Sequence, residues 1–246
     1  MKTILLFYVL LQSALLTTCL YAKGNDNNKT TQLVHNCKQN MHQACVELGL
    51  LYLNGKGVKQ DYQKAKDLFS TSCKSSYFPA CHLLAGHYLN GLGVEKNFNL
   101  AKINYGIACD SKYGRACSML GSLYEKGQGV EKDENKANEL YANAIKYYSV
   151  ACENGESMDC VLLGSAYLDG YNTVEKNNNK ALAYFTKACD SDFSLGCFLL
   201  GDYYSSGYLI DEGIKKGSTK AFKYYAKACS LKNPYACSIL EEMKKE

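Results

Sequence analysis

Six cysteine pairs, each spaced eight residues apart, constrain this chain more than any other feature. They are Cys37–Cys45, Cys73–Cys81, Cys109–Cys117, Cys152–Cys160, Cys189–Cys197 and Cys229–Cys237. A zinc site calls for cysteines two to four apart, with a second such pair or histidines nearby. The four histidines here (His35, His42, His82, His87) do not sit one beside each pair. The pairs therefore read as disulfides, which belong to an oxidising compartment. On one continuous helix, residues eight apart are separated by about 12 Å. A disulfide needs its Cα atoms about 4.4–6.8 Å apart. The chain must turn back inside each pair. The first cysteine then ends one helix and the second opens the next. Pro79 and Pro234 fit this, because proline is tolerated in the first turn of a helix, and Asn233 is a suitable N-cap.

The pairs mark a repeat. First cysteines fall at 37, 73 and 109, and then at 152, 189 and 229. A period near 36 points to a helical solenoid. After each second cysteine come "CVELG", "CHLLA", "CSMLG", "CVLLG" and "CFLLG", and tyrosine follows at Tyr52, Tyr88, Tyr124, Tyr167 and Tyr204. Offsets of three, four and seven from the cysteine share one helical face, which predicts a core stripe. Glycines in "NGKGV", "NGLGV" and "KGQGV" end this first helix. Asp61, Asn97, Asp133 and Ser218 are placed to open the second. Its stripe pairs Ala65 with Phe69, Ala101 with Tyr105, Ala181 with Phe185, and Ala221 with Tyr225. Most tyrosines are thus read as packing residues. The wider interval before Cys152 predicts a second helix about two turns longer, through Ala137, Tyr141, Ile145, Tyr148 and Cys152. "SSGYLIDEGIKKGSTK" predicts a long loop.

The expected organisation is a signal peptide at 1–22, a linker and helix start at 23–36, and repeats at 37–72, 73–108, 109–151, 152–188 and 189–228, with a half-repeat at 229–246. Lys2, the apolar run "ILLFYVLLQSALL" and "LYA" before "KGNDNN" carry the signal-peptide reading. Cleavage after Ala22 removes Cys19 and leaves twelve of the 13 cysteines, an even set. A membrane anchor and a lipoprotein acylated at Cys19 are the alternatives. Cleavage implies a secreted or periplasmic chain with no stable membrane insertion. A net charge of +4 and a single arginine, Arg115, argue against nucleic acid.

The pattern A-C-x-x-L-G-x-x-Y-x-x-G-x-G-V … K-A-x-x-x-Y-x-K-A-C resembles the Sel-one-like repeat, over residues 37 to about 240. With its C-x7-C pairs, the chain is similar to the Helicobacter cysteine-rich proteins. The resemblance implies an all-α fold of TPR-like α/α hairpins stacked as a solenoid superhelix and stapled by disulfides. It also implies secretion, penicillin binding and slow beta-lactam hydrolysis of penicillanic and cephalosporanic derivatives. The departures are Ala85 in place of glycine and loss of the G-x-G-V turn in the fourth and fifth units.

The residues themselves show no S-x-x-K, S-D-N or K-T-G motif, and "GSTK" at Gly217–Lys220 has the wrong spacing. No nucleophile, metal or cofactor is assigned. If offsets three, four and seven face the core, then one, five, eight and nine face outward on the first helix, on the concave side of such solenoids. The candidate strip is Asn54, His82, Asn90, Ser118, Ser122, Glu125, Lys126, Ser165, Asp169 and Asp202, with Arg115 on the same side. Two functions follow. One is a beta-lactam or cell-wall-peptide site with weak hydrolysis. The other is a non-catalytic scaffold for a protein or peptide partner.

Overall fold

A computed structural model describes residues 26–170, 174–205 and 219–243, with side chains from residue 29 onward. The expected signal peptide, its cleavage point and the long loop at 206–218 lie outside these residues. Among the described residues there are twelve helices: α1 (Asp26–Lys38), α2 (His42–Asn54), α3 (Tyr62–Lys74), α4 (Phe78–Asn90), α5 (Phe98–Asp110), α6 (Gly114–Lys126), α7 (Glu134–Glu153), α8 (Ser157–Asp169), α9 (Asn178–Asp190), α10 (Ser194–Ser205), α11 (Thr219–Ser230) and α12 (Pro234–Met243). The fold is all-α, a solenoid of α/α hairpins: α2/α3, α4/α5, α6/α7, α8/α9 and α10/α11. It divides into two compact units, residues 22–147 and residues 148–246, with the boundary inside α7. Helix α7 has 20 residues where α5 has 13. Helix α1 begins at Asp26, within the stretch read as linker and helix start.

Local chemistry sets the helix ends. The side chains of Asp61, Asn97, Asp133 and Asn177 each accept a hydrogen bond, at 2.9 Å, from the backbone N–H three residues on. Asn233 does the same for Ala236 at 3.0 Å. These contacts satisfy donors that the first turn would otherwise leave open. Helices α2, α4, α6 and α8 end at left-handed glycines, Gly55, Gly91, Gly127 and Gly170. A second glycine in the same turn has a different reason. Gly129 has φ +70°, and a Cβ there would lie 2.5 Å from the Cβ of Phe98, so backbone conformation and space both exclude a side chain.

All six disulfides join the end of one helix to the start of the next, with Cα–Cα separations of 4.5–4.7 Å. Between the cysteines the chain reverses through a left-handed residue: Asn40, Ser76, Lys112, Gly155, Asp192 or Lys232. In the second pair, Tyr77 N–H bonds Ser72 O at 3.0 Å and Ser76 N–H bonds Cys73 O at 2.9 Å, a Schellman ending. The turn and the disulfide therefore hold the same fold-back.

Inside each hairpin, an aromatic ring lies on a small residue of the facing helix. Phe69 covers Gly49, Tyr141 covers Gly121, Phe185 covers Gly164 and Tyr225 covers Gly201; an added Cβ would come within 2.5–2.8 Å of the ring. The rings are fully or nearly fully buried, as are Ala65, Ala101, Ala137, Ala181 and Ala221 one turn earlier. Ala85 takes the glycine's place opposite Tyr105 and is itself fully buried.

Candidate functional site

The first helices α2, α4, α6, α8 and α10 carry the candidate strip, and its offsets from the second cysteine separate into two groups. Offset one does not face outward. Val46 and Val161 hold this place in α2 and α8, and both are buried. In α4 the position is His82, whose ring packs on Tyr105 at 5.4 Å and on Tyr113 at 5.5 Å. Phe198 occupies it in α10, 6.0 Å from the ring of Tyr225. This offset faces the second helix of the same hairpin and the start of the next helix, so His82 is a packing residue. Ser118 shares the offset and is half-buried. Arg115 is half-buried with its guanidinium over the Tyr113 ring at 5.7 Å.

Offset nine reaches the surface, and offsets five and eight are half-buried. Asn90, Lys126 and Asp169 are exposed and Asn54 is half-buried, each directly before its capping glycine. Asn54 Nδ2 donates to Leu50 O at 2.7 Å and Asn90 Nδ2 donates to Gly86 O at 2.9 Å. Those bonds pin the amides at the helix end. Ser165 Oγ donates to Val161 O at 3.0 Å. In α6, Ser122, Glu125 and Lys126 stand on one face, three and four apart. Asp169 is exposed, but partial burial of its carboxyl raises its pKa, with Lys176 opposing.

Two tyrosine hydroxyls buttress the strip, and residue-by-residue reading of the sequence missed both. Tyr141 donates to Glu125 Oε2 at 3.0 Å, and Tyr225 donates to Asp202 Oδ1 at 2.7 Å. Burial pushes the Asp202 carboxyl up to about 6, although the Tyr225 bond works the other way. Sequence pattern alone gives no rule for these bonds, since hairpin two also has a tyrosine at the ring position, Tyr105, and its facing helix carries no carboxylate.

His82 makes a pH-dependent prediction. Burial lowers its imidazole pKa to about 3, and Arg115 adds to the shift, whereas the unfolded chain titrates near 6.5. Below pH 6.5 the unfolded chain takes up a proton that the folded chain refuses. Stability from this group is therefore full above 6.5 and is lost as pH falls toward 3. At pH 4.5 the loss is about 3 kcal/mol. His82→Phe, which copies the residue at Phe198, should remove that slope. Thermal melts of both proteins from pH 7.5 to 4.5 check it; parallel curves would mean that His82 charges freely in the fold.

All twelve cysteines of the described region are disulfide-bonded, so none of them is a free thiol nucleophile. Among the described residues no group of three or more histidine, cysteine, aspartate or glutamate side chains is arranged to hold a metal ion. His87 is buried, edge-on to Phe69, with Nδ1 2.9 Å from Leu92 O. Among the described residues no helix is long and apolar enough to cross a membrane.

The Sel1 repeat family model matches this chain five times, at residues 42–77, 79–113, 114–156, 158–193 and 194–233. Each match opens at or beside the start of a first helix, and all five together take in the five hairpins. No curated protein matches the chain. Among solved structures it is similar to a Sel1 repeat protein from Oxalobacter formigenes, with 28% identity, a TM-score of 0.54, and coverage of 80% of this chain and 76% of that one. A Sel1 repeat protein from Klebsiella pneumoniae shares 18% identity at a TM-score of 0.51, covering 87% of this chain and 99% of that one. An immunity protein from Pseudomonas aeruginosa shares 18% identity at a TM-score of 0.50, covering 79% of this chain and 66% of that one. The last two likenesses are of fold alone. With the family model matching almost without a break over residues 42–233, the chain belongs to the Sel1 repeat family.

Proposed function

We propose that this chain is an exported, non-catalytic scaffold whose first helices bind an extended peptide segment of a protein partner. One observation carries the reading. Offset nine presents a polar side chain on each of α2, α4, α6 and α8 (Asn54, Asn90, Lys126 and Asp169), and the two asparagines are pinned by hydrogen bonds before any ligand arrives. A surface ordered in advance loses less side-chain entropy on binding. Six disulfides support an oxidising compartment, and the apolar N-terminal run supports export. Hydrolysis of a beta-lactam rests on resemblance alone.

Selection of a displayed random-peptide library on the mature chain tests the reading. Selected peptides should bind Asn90→Ala/Lys126→Ala at least tenfold more weakly than the parent, with the melting temperature unchanged, since Asn90 and Lys126 are exposed. Unchanged affinity in the folded double variant would move the site off these helices. The protein isolated from its host should begin at Lys23 by intact mass, and nitrocefin turnover should equal the protein-free blank.

A further inference from the structure

The outward faces of the second helices change character along the chain. Three positions point to solvent: one residue before, two after and six after the buried alanine. In α3 they are Lys64, Asp67 and Thr71, and in α7 Lys136, Glu139 and Asn143, so each set is neutral overall. The lysines are matched there, Lys64 with Asp61 at 3.4 Å and Lys136 with Glu139 at 2.8 Å. In α9 the set becomes Lys180, Ala183 and Lys187, and in α11 it becomes Lys220, Lys223 and Lys227. The carboxylates are gone from these positions, and the sets carry +2 and +3.

In α3 Lys64 lies over the Tyr52 ring at 5.2 Å, and this cation–ring contact recurs in α9 and α11, where a second tyrosine stacks on the first. Lys180 lies over the Tyr167 ring at 4.8 Å, and Tyr167 stacks on Tyr184 at 5.8 Å. Lys220 lies over Tyr204 at 5.1 Å, and Tyr204 stacks on Tyr224 at 5.6 Å. The same arrangement thus occurs twice, one hairpin apart. Lys227 bonds Asp192 at 3.1 Å and Cys189 O at 2.8 Å, which ties α11 to the end of α9. Phe222 is exposed on α11.

The basic area has edges. Burial raises the Tyr184 pKa, and Glu153 stands close enough to add to the shift. On the far side Glu241 and Glu242 are exposed on α12. A surface two helices wide, roughly 20 Å, is too small for a membrane plane. Carboxylates at both margins would repel a long polyanion running past it. Cations beside an exposed phenylalanine suit a short segment carrying both acidic and apolar side chains.

We propose that the outer face of α9 and α11 docks a short acidic, partly apolar segment of a protein partner. This deepens the scaffold reading and rests on it, but it uses the opposite helices of the hairpins. The probe is a labelled twelve-residue peptide alternating glutamate with leucine and phenylalanine, titrated against the mature chain. Lys220→Glu/Lys223→Glu should weaken binding at least tenfold, and Lys180→Glu/Lys187→Glu should do likewise. Raising salt from about 50 to 300 mM should weaken the parent complex steeply, as expected for exposed charges. Asn90→Ala/Lys126→Ala should leave it unchanged. No binding at low salt, or equal affinity in the folded lysine variants, overturns the proposal. Heparin or phosphatidylglycerol vesicles binding more tightly than the peptide through the same lysines also overturn it, in favour of a general anionic ligand. Library peptides that still bind the lysine variants would keep the first-helix reading intact while this one fails.

Discussion

Reduction of all six disulfides is expected to unfold the chain at 25 °C without added denaturant. Each bond closes a nine-residue loop, which removes about 2.5 kcal/mol of unfolded-state freedom in the chain-entropy account. Six such terms come to about 15 kcal/mol, at the upper end of the total stability of an ordinary domain, about 5–15 kcal/mol. Non-additivity will trim the sum, but a large deficit remains. The turn residues sharpen the expectation. Five of the six fold-backs place a non-glycine residue at φ 55–65°, a strained conformation that the cross-link holds closed. Circular dichroism of the reduced and alkylated chain reads the result. Retained helicity with a cooperative melt would show that packing alone sustains the hairpins.

Phe185→Ala is expected to cost about 3–5 kcal/mol, among the largest effects of any single substitution. The ring is fully buried between α8 and α9, on Gly164. Glycine supplies no atom to collapse into the vacated space, and Cys189–Cys197 and Cys152–Cys160 restrain the flanking helix ends. The hole should therefore stay open, which puts the loss at the high end of such truncations. Phe222→Ala on α11 is the control. Its ring is exposed, and the change should stay within about 0.5 kcal/mol. Urea titrations of the oxidised proteins compare them, and a loss below about 1 kcal/mol for Phe185→Ala would mean that the hairpin closes over the gap.

Much of the fold was legible because the spacing of cysteines, glycines and aromatics each repeats an independent requirement: a fold-back, a helix end and a packed ring. The candidate strip was less so. A helical wheel treats each helix as having one buried stripe. In this fold a first helix meets its own second helix and the preceding one across the disulfide, and α8 also touches α10 directly. The buried arc is correspondingly wide. Val46 and Val161 at offset one therefore fall inside it, and His82 lies at its edge. Tyr52, Tyr88, Tyr124, Tyr167 and Tyr204, read as core, are only half-buried, while offset six is buried in His87, Leu123, Ala166 and Tyr203. A one-position rotation of the wheel separates the two pictures, and only the neighbouring helices decide it. The hydroxyl bonds of Tyr141 and Tyr225 were hidden for the same reason, since each partner lies on another helix.

The disulfides and the ring contacts group the helices in two frames that are out of phase by one helix. Covalently, the partners are α1 with α2, α3 with α4, α5 with α6, and so on to α11 with α12. By packing, the partners are α2 with α3, α4 with α5, and on to α10 with α11. Every helix from α2 to α11 is thus bonded on one side and packed on the other, as bricks overlap in successive courses, so none can detach alone. The two frames also respond differently to a cut. A nick at Ser75–Ser76 falls inside a cross-linked loop and leaves one covalent piece. A nick at Gly55–Lys56 falls inside a hairpin that no disulfide spans, and there the ring of Phe69 on Gly49 becomes part of what holds two separate polypeptides together.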